Sequence, residues 1–433
     1  MTESFPKRSL PRTDAAEQAS PNSAAQTVAQ TAARMLAEIE AGGEEAALAH
    51  ARKLDGWQGE IVVPDDAIEA ACARVPADLR DAIDWAHENI TRFAEAQRAT
   101  LTEMEVELRP GLFAGQRLLP VAAAGAYVPG GRYSHIASAL MTVTTARVAG
   151  VPQISAVSPP RADAPAGVPD AILYTLKLCG ATKVLAIGGI QGVAALAFGL
   201  FGLPKSDMIV GPGNDYVTEA KRQLFGRVGI DMLAGPTDVL VVADATADPH
   251  TVALDLVGQC EHGPNTPVWL VTDSPALAEA VAREAPACIA ALPEPNRSAA
   301  ALAWEGLAQI ITVPDRAAMV AEADRIAPEH LHVQAADLDW WKASLNAYGS
   351  LFLGPEATVA FGDKASGPNH VLPTSGAARY TGGLSVHKFL RTVTWQRVAP
   401  EALPRLADVT ARISRHEGME AHARTADLRL KRG

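Results

Sequence analysis

Only four cysteines occur in 433 residues, and Cys72, Cys179, Cys260 and Cys288 form no C-x-x-C pair. That sparse, unpaired spacing suggests reduced thiols in a cytoplasm. Positive charge is also short: 38 Lys and Arg against 49 Asp and Glu leave a net charge of −11. That balance argues against nucleic acid and against an acidic membrane surface as partners, but it leaves room for a local cationic pocket. Lys7, Arg8 and Arg12 are followed by no apolar run, so no secretory signal is expected. No short-period repeat points to a solenoid. G-x-G-x-x-G, a P-loop and the familiar zinc spacings are missing as well. One uncharged stretch, 184–203, has the length of a membrane span but carries five glycines. It reads better as a strand Lys183–Ile187, a turn at Gly188-Gly189 and a helix from Val193 to Leu200.

What is present is the composition of a globular enzyme, 48% hydrophobic and 20% charged, long enough for more than one domain. Residues up to position 25 are rich in Pro, Ser and Ala and read as an arm. Helical periodicity follows at Ala24–Leu54, broken at Gly42-Gly43, and again at Pro64–Ala96. From Leu118 short apolar runs alternate with helices. The strands expected are Pro120–Ala124, Gln153–Val157, Lys183–Ile187, Met208–Val210, Val239–Ala243, Val268–Thr272, Gln309–Val313 and Ser350–Leu353. Such alternation predicts an α/β fold of parallel sheets covered on both faces. A break near Ala234-Gly235-Pro236 divides the strands into two Rossmann-like units. The organisation expected is an N-terminal arm and helices (1–50), a first α/β unit (51–125 plus 236–375), a second (126–235) and a C-terminal helical tail (376–433).

Chemistry gathers in a few places. Asp248-Pro249 is a helix start, with Asp as the N-cap and Pro at the first helical position, and Gly263-Pro264 is a stop. Between them Gln259 and His262 stand three apart, so an amide oxygen and an imidazole can reach one point. Taken alone, that pair reads more simply as a polar helix end in solvent. Three Gly-rich loops, 127–131, 188–192 and 211–214, each follow a strand and precede a helix whose N–H groups could hold phosphate. Any one of them is a tight turn; three in one unit point to a nucleotide. Asp207 lies near the place of a ribose-binding acid but opens a strand. Phe361–Thr374, with Asp363 and His370, is too polar and too long for a plain connection. The tail from Pro404 to Leu430 reads as helix, with Glu417 and His422 in its middle.

Y-V-P-G-G, G-P-G-N-D-Y-V, A-G-P-T-D-V-L, G-Q-C-E-H-G, P-E-H-L, G-D-K-A-S-G-P-N-H-V-L-P-T and the terminal E-A-H-A-R resemble the histidinol dehydrogenase family. The motifs keep the family's order from about residue 25 to 430. The resemblance implies a zinc-containing, NAD-dependent enzyme that oxidises a primary alcohol to a carboxylate through an aldehyde. Carried over motif by motif, it implies zinc on Gln259, His262, Asp363 and His422, NAD on Tyr127, Gln191 and Asn214, and Glu329 and His330 as the acid–base pair. Thr237, His370 and Glu417 fall at substrate positions. It also implies a homodimer with intertwined tails, the last zinc ligand coming from the partner chain. Cys260, next to Gln259 but pointing elsewhere, is expected to be a packed thiol.

Departures from the biosynthetic members cluster where substrate would sit. Arg132-Tyr-Ser-His135 replaces small and apolar residues, Lys364 stands where Tyr is common, and Thr237-Asp238 replaces Ser-Glu. V-A-F-G-D-K, A-A-R-Y-T-G-G-L-S-V-H-K-F and I-S-R-H-E-G-M-E-A-H-A-R-T-A-D look most like the family's sulfopropanediol-oxidising branch, which takes 2,3-dihydroxypropane-1-sulfonate to sulfolactate. A sulfonate is a permanent anion, and Arg132, His135, Lys364 and Arg379 are available to meet it. Oxidation of histidinol is the alternative. A non-catalytic nucleotide- or metal-binding paralogue is another, though it would not need Glu329-His330.

Overall fold

The computed structural model describes residues 21–130 and 135–430. Helix α1 (Pro21–Leu54) is interrupted at Gly43, whose φ of 60° and ψ of −140° suit a residue without Cβ. The chain doubles back there. Glu38 and His50, twelve residues apart, meet at 2.8 Å, whereas a straight helix would hold them about 18 Å apart. Helices α2 (Asp65–Arg74) and α3 (Ala77–Ala99) follow, separated at Val75-Pro76 because the residue before a proline avoids the helical region. Strand β1 (Met104–Arg109) then turns at Pro110-Gly111 into antiparallel β2 (Leu112–Pro120). This hairpin is an addition to the expected elements.

The first parallel sheet is built from β3 (Ala123–Tyr127), α4 (Ile136–Val148), β4 (Gln153–Ser158), α5 (Asp170–Cys179), β5 (Lys183–Ala186), α6 (Gly189–Phe198), β6 (Met208–Val210), α7 (Asp215–Leu224) and β7 (Gly229–Ile230). The second uses β8 (Val239–Ala243), α8 (Pro249–Cys260), β9 (Val268–Thr272), α9 (Pro275–Ala290), α10 (Asn296–Leu307) and β10 (Gln309–Thr312). It is completed by α11 (Arg316–Ile326), β11 (His330–Gln334), α12 (Leu338–Ser344), β12 (Ser350–Leu353) and α13 (Val359–Lys364). Their orders are β5-β4-β3-β6-β7 and β10-β9-β8-β11-β12, the same third-second-first-fourth-fifth pattern twice. Both units are therefore Rossmann-like. Every residue of β3 and β8 is buried, since helices cover both faces, and this is why such strands read as unbroken apolar runs.

Two expectations are corrected. The strand placed at Pro120–Ala124 runs instead from Ala123 to Tyr127, because Leu118–Pro120 pairs with a strand of the tail. Residues 65–99, grouped in sequence with 236–375, lie on the first sheet: α2 packs on α5 and α3 on α4, while α1 covers α6 and α7. The reason is the apolar stripe Ile83, Ala86, Ile90 and Ala94 of α3, which shares a core with Leu140 and Ile172.

Nor is the tail wholly helical. β13 (Leu390–Val398) joins β2 to make a three-stranded antiparallel sheet. Helices α14 (Leu403–His416) and α15 (Glu420–Leu430) are divided at Gly418, φ 77°. They meet through Ala407, Ala411, Ala423 and Ala426, leaving Ile413, Met419, Leu428 and Leu430 exposed. Among the described residues no helix is long and apolar enough to cross a membrane.

Candidate active site

Three of the five side chains in His330-Leu-His-Val-Gln334 are polar, and all five are buried. A strand at the centre of a parallel sheet can carry them only if each finds a partner. His332 Nε2 lies 2.9 Å from the Gly354 carbonyl and Nδ1 3.3 Å from Asp255. Gln334 Nε2 donates to Asp255 at 2.7 Å. His330 donates Nδ1–H to the Asp238 carbonyl at 2.8 Å. That bond selects the tautomer in which Nε2 can take up a proton. Among the described residues Nε2 has no hydrogen-bond partner, and it lies 3.5 Å from Asp363 Oδ1.

Glu329, just before β11, is buried; its Oε2 accepts from the Thr237 hydroxyl at 2.5 Å and from Asp238 N–H at 3.1 Å. Burial pushes its carboxyl above the usual range, against the pull of His330. Burial likewise raises Asp238, to about 6, although it accepts the Glu329 N–H at 2.7 Å. For His330 burial works against the charge, but Glu329 and Asp363 outweigh it and raise the imidazole. Asp363 is the reverse case: burial opposes ionisation, yet His330, His370 and Lys364 hold the carboxyl below its ordinary range. The centre is thus a carboxyl held back from ionising beside an imidazole inclined to hold a proton.

Helix α8 begins as its sequence implies, with Asp248 accepting Thr251 N–H at 2.8 Å and Pro249 in the first turn. It ends at Cys260, earlier than expected, so His262 stands on the following turn, its N–H bonded to the Gln259 carbonyl at 3.2 Å. Buried Gln259 donates Nε2 to Thr237 at 2.6 Å. His262 is close enough to Asp363, Lys364 and His330 to feel their charges. Asp363 thus stands beside His330, Gln259 reaches the same centre through Thr237, and His262 lies within range of its charges. Cys260 is packed among Val252, Leu256 and Val257, and burial pushes its thiol up to about 12, so it is no nucleophile.

Thr237, Asp238 and Glu329 sit where β8 and β11 begin, so this centre lies at the N-terminal edge of the second sheet. The first sheet offers its opposite edge. Beyond the C-terminal ends of β3 and β6, at its switch point, lies a cavity of about 790 Å³ lined by Tyr127, Gln191 and Asn214. Tyr127 Oη accepts Gly189 N–H at 3.0 Å. The loop 211–214 comes so near β3 that a Cβ on Gly211 would stand 2.1 Å from the Tyr127 carbonyl oxygen. A buried Lys221–Asp231 pair holds this loop, Lys221 donating to the Gly211 carbonyl at 2.9 Å and Asp231 accepting its N–H at 2.7 Å. Gln191 is 1% exposed; its Nε2 donates to Asp55 at 3.0 Å, and among the described residues its Oε1 has no partner. Asp55 went unnoticed in the sequence because its partners lie more than a hundred residues away.

The remaining candidates divide. His370 Nδ1 bonds the Asp363 carbonyl at 2.8 Å and Nε2 lies 3.4 Å from Ser138 Oγ, so it supports the end of α13, which bears Asp363. His135 lines the cavity; burial, then Lys364, push its imidazole down to about 4, so it can offer a hydrogen bond but no charge near neutrality. Lys364 is exposed beside Asp363. Arg132 lies outside the described residues. Arg379 donates to the carbonyls of Gly376 and Arg325 and acts as a cap. Asp207 accepts Ala122 and Ala123 N–H at 2.8 and 3.1 Å, a tie between strands. Glu417, at the end of α14, and His422, exposed on α15, are not brought to the centre within this chain. Among the described residues no three His, Cys, Asp or Glu converge as a metal group.

A family model for histidinol dehydrogenase matches residues 18–430. A histidinol dehydrogenase homolog of Ruegeria pomeroyi is 69% identical over 92% of this chain and 92% of its own. Sulfopropanediol 3-dehydrogenase of the same organism is 61% identical over 94% of this chain and 93% of its own. The crystal structure of histidinol dehydrogenase from Elizabethkingia anophelis superposes with a TM-score of 0.88 at 32% identity, covering 96% of this chain and 94% of that one. With near-full-length matches in sequence and in fold, the chain belongs to the histidinol dehydrogenase family and is an oxidoreductase of that kind.

Proposed function

We propose that this chain is a zinc- and NAD-dependent dehydrogenase that oxidises 2,3-dihydroxypropane-1-sulfonate to sulfolactate in two steps through the aldehyde. The observation that carries the reading is His330 Nε2, a buried nitrogen to which the described residues give no hydrogen-bond partner, with Asp363 at 3.5 Å, His262 within range of its charge and Gln259 tied to Glu329 through Thr237. The donor set fits zinc in kind: one imidazole, one carboxylate held ionised, and an amide whose nitrogen is engaged by Thr237, turning its oxygen outward. A fourth donor is needed, and His422 of a second protomer is the candidate in a homodimer. The cavity fits NAD through its volume and through the unpartnered Gln191 Oε1, which awaits a donor such as a carboxamide or a ribose hydroxyl.

When bound, zinc supplies a Lewis acid for the substrate oxygen and NAD a hydride acceptor. The chain does the rest. His330, its Nδ1–H fixed on the Asp238 carbonyl, takes the hydroxyl proton at Nε2 from its neutral form, which gains population as pH rises because Glu329 and Asp363 raise the imidazole. Glu329, oriented by Thr237 and Asp238 N–H, takes a proton from the water that hydrates the aldehyde before the second oxidation. Burial keeps bulk water away from both. Lys364 and His135 support an anionic substrate, as cation and as neutral donor, with Arg132 as a third candidate. Reduced thiols favour a cytoplasmic enzyme.

The test is a parallel NAD-reduction assay. The sulfonated diol should yield two NADH per molecule and histidinol little. NADH from histidinol alone would make the chain a histidinol oxidiser, and NADH from neither would reject both.

A further inference from the structure

Two helix N-termini of the first sheet, expected from the sequence to take phosphate, are already engaged. At α6, Gly188 N–H and Gln191 Nε2 both donate to Asp55 Oδ2, at 3.2 and 3.0 Å. A carboxylate thus stands where a phosphate would bind and would repel one. At α7, Asn214 accepts Val217 N–H at 3.1 Å, and Asp215 occupies the first turn. The cavity nevertheless needs cations if it is to hold a dinucleotide, because a pyrophosphate cannot be desolvated without charge-assisted donors.

We propose that the pyrophosphate of the dinucleotide is held by the inner face of α1, through Arg34, His50 and Lys53, instead of by the helix N-termini. These three line the cavity together with Asp55. The kink at Gly43 creates the face: Glu38 accepts from Arg34 at 3.0 Å and meets His50 at 2.8 Å, gathering residues from both arms of the bent helix. Glu38 engages Nη1 of Arg34, and among the described residues Nε and Nη2 take no other bond, two donors in a plane suited to a phosphate edge. Direction agrees. The cavity runs from α1 to His135, and His135 feels the charges of Lys364, His370 and His262. Its far end therefore faces the reacting centre, where the nicotinamide belongs, and α1 lies at the phosphate end.

The inference deepens the NAD reading and rests on it, so the experiment separates the two. Calorimetric titrations of NAD and of ADP-ribose would be run on the full-length protein and on Arg34→Gln, Lys53→Gln and Arg34→Lys. Each Gln variant should weaken both ligands by roughly threefold to thirtyfold and lessen the salt dependence of binding, as loss of a charged donor does. Arg34→Lys should recover part of the loss, and in assays the Gln variants should show a raised KM for NAD. Gln variants that bind NAD as tightly as the parent would overturn the inference. A parent that binds neither ligand would overturn the NAD reading itself.

Discussion

Thr237 has one hydroxyl proton and two neighbours that depend on it. It donates to Glu329 and accepts from Gln259, so the hydroxyl fixes both the carboxylate and the face that the amide turns toward the centre. Replacing it by valine keeps the shape and leaves a carboxylate and an amide N–H without their partner. Thr237→Val should lower unfolding free energy by about 1–3 kcal/mol, the usual cost of stranding a buried polar group. Thr237→Ser, which keeps the hydroxyl, should lose roughly half as much or less. Urea unfolding of the three proteins decides it, and equal stability of the valine and parent proteins would mean that Glu329 is held some other way. Nothing local in Ala234-Gly-Pro-Thr-Asp238 reveals this role, because the partners come from residues 22 and 92 positions away. Glu329, His330 and Asp363 were legible only through long motifs shared with a family, since a buried acid and a surface acid look alike in one sequence.

At the scale of elements, legibility followed the continuity of apolar runs. Met208–Val210, Val239–Ala243, Val268–Thr272 and Ser350–Leu353 were read to the residue because apolar runs bounded by turns can do little else. β11 was missed for the opposite reason: His330, His332 and Gln334 break the apolar run where the site is built. β1 was missed because all of it is exposed and its alternation encodes no face. The polar residues of β11 also explain how three elements stay in register. Asp255, one turn before Gln259 on α8, accepts from Gln334 of β11 at 2.7 Å and from Thr358, the residue that opens α13, at 2.9 Å. One carboxylate thus links the carriers of Gln259, His330 and Asp363. In Asp255→Asn one acceptor becomes a donor facing other donors, which should destabilise the fold by about 1–3 kcal/mol. Zinc should also exchange faster with a chelator. Parent-like zinc exchange together with parent-like unfolding would show that packing alone holds these elements.

At the scale of the molecule, two units of the same strand order present opposite edges to one reaction. The first offers the C-terminal edge of its sheet, with the cavity; the second offers its N-terminal edge, with Glu329 and His330. The tail ends in α14 and α15. Its helices close on each other through four alanines and leave Ile413, Met419, Leu428 and Leu430 in solvent, an arrangement that favours a further surface to cover them. If that surface belongs to a second copy, a two-fold dimer sets each His422 against the other chain's Gln259 and His262. His422→Ala and Gln259→Ala proteins should then each be inactive alone, since every site in either homodimer lacks a donor. After unfolding and refolding together in equal amounts, half the dimers are mixed, and each mixed dimer has one intact site. Activity should return to about a quarter of the parent's. Mixed dimers that form, as shown by differently tagged chains, yet stay inactive would mean that His422 serves its own chain or no zinc at all.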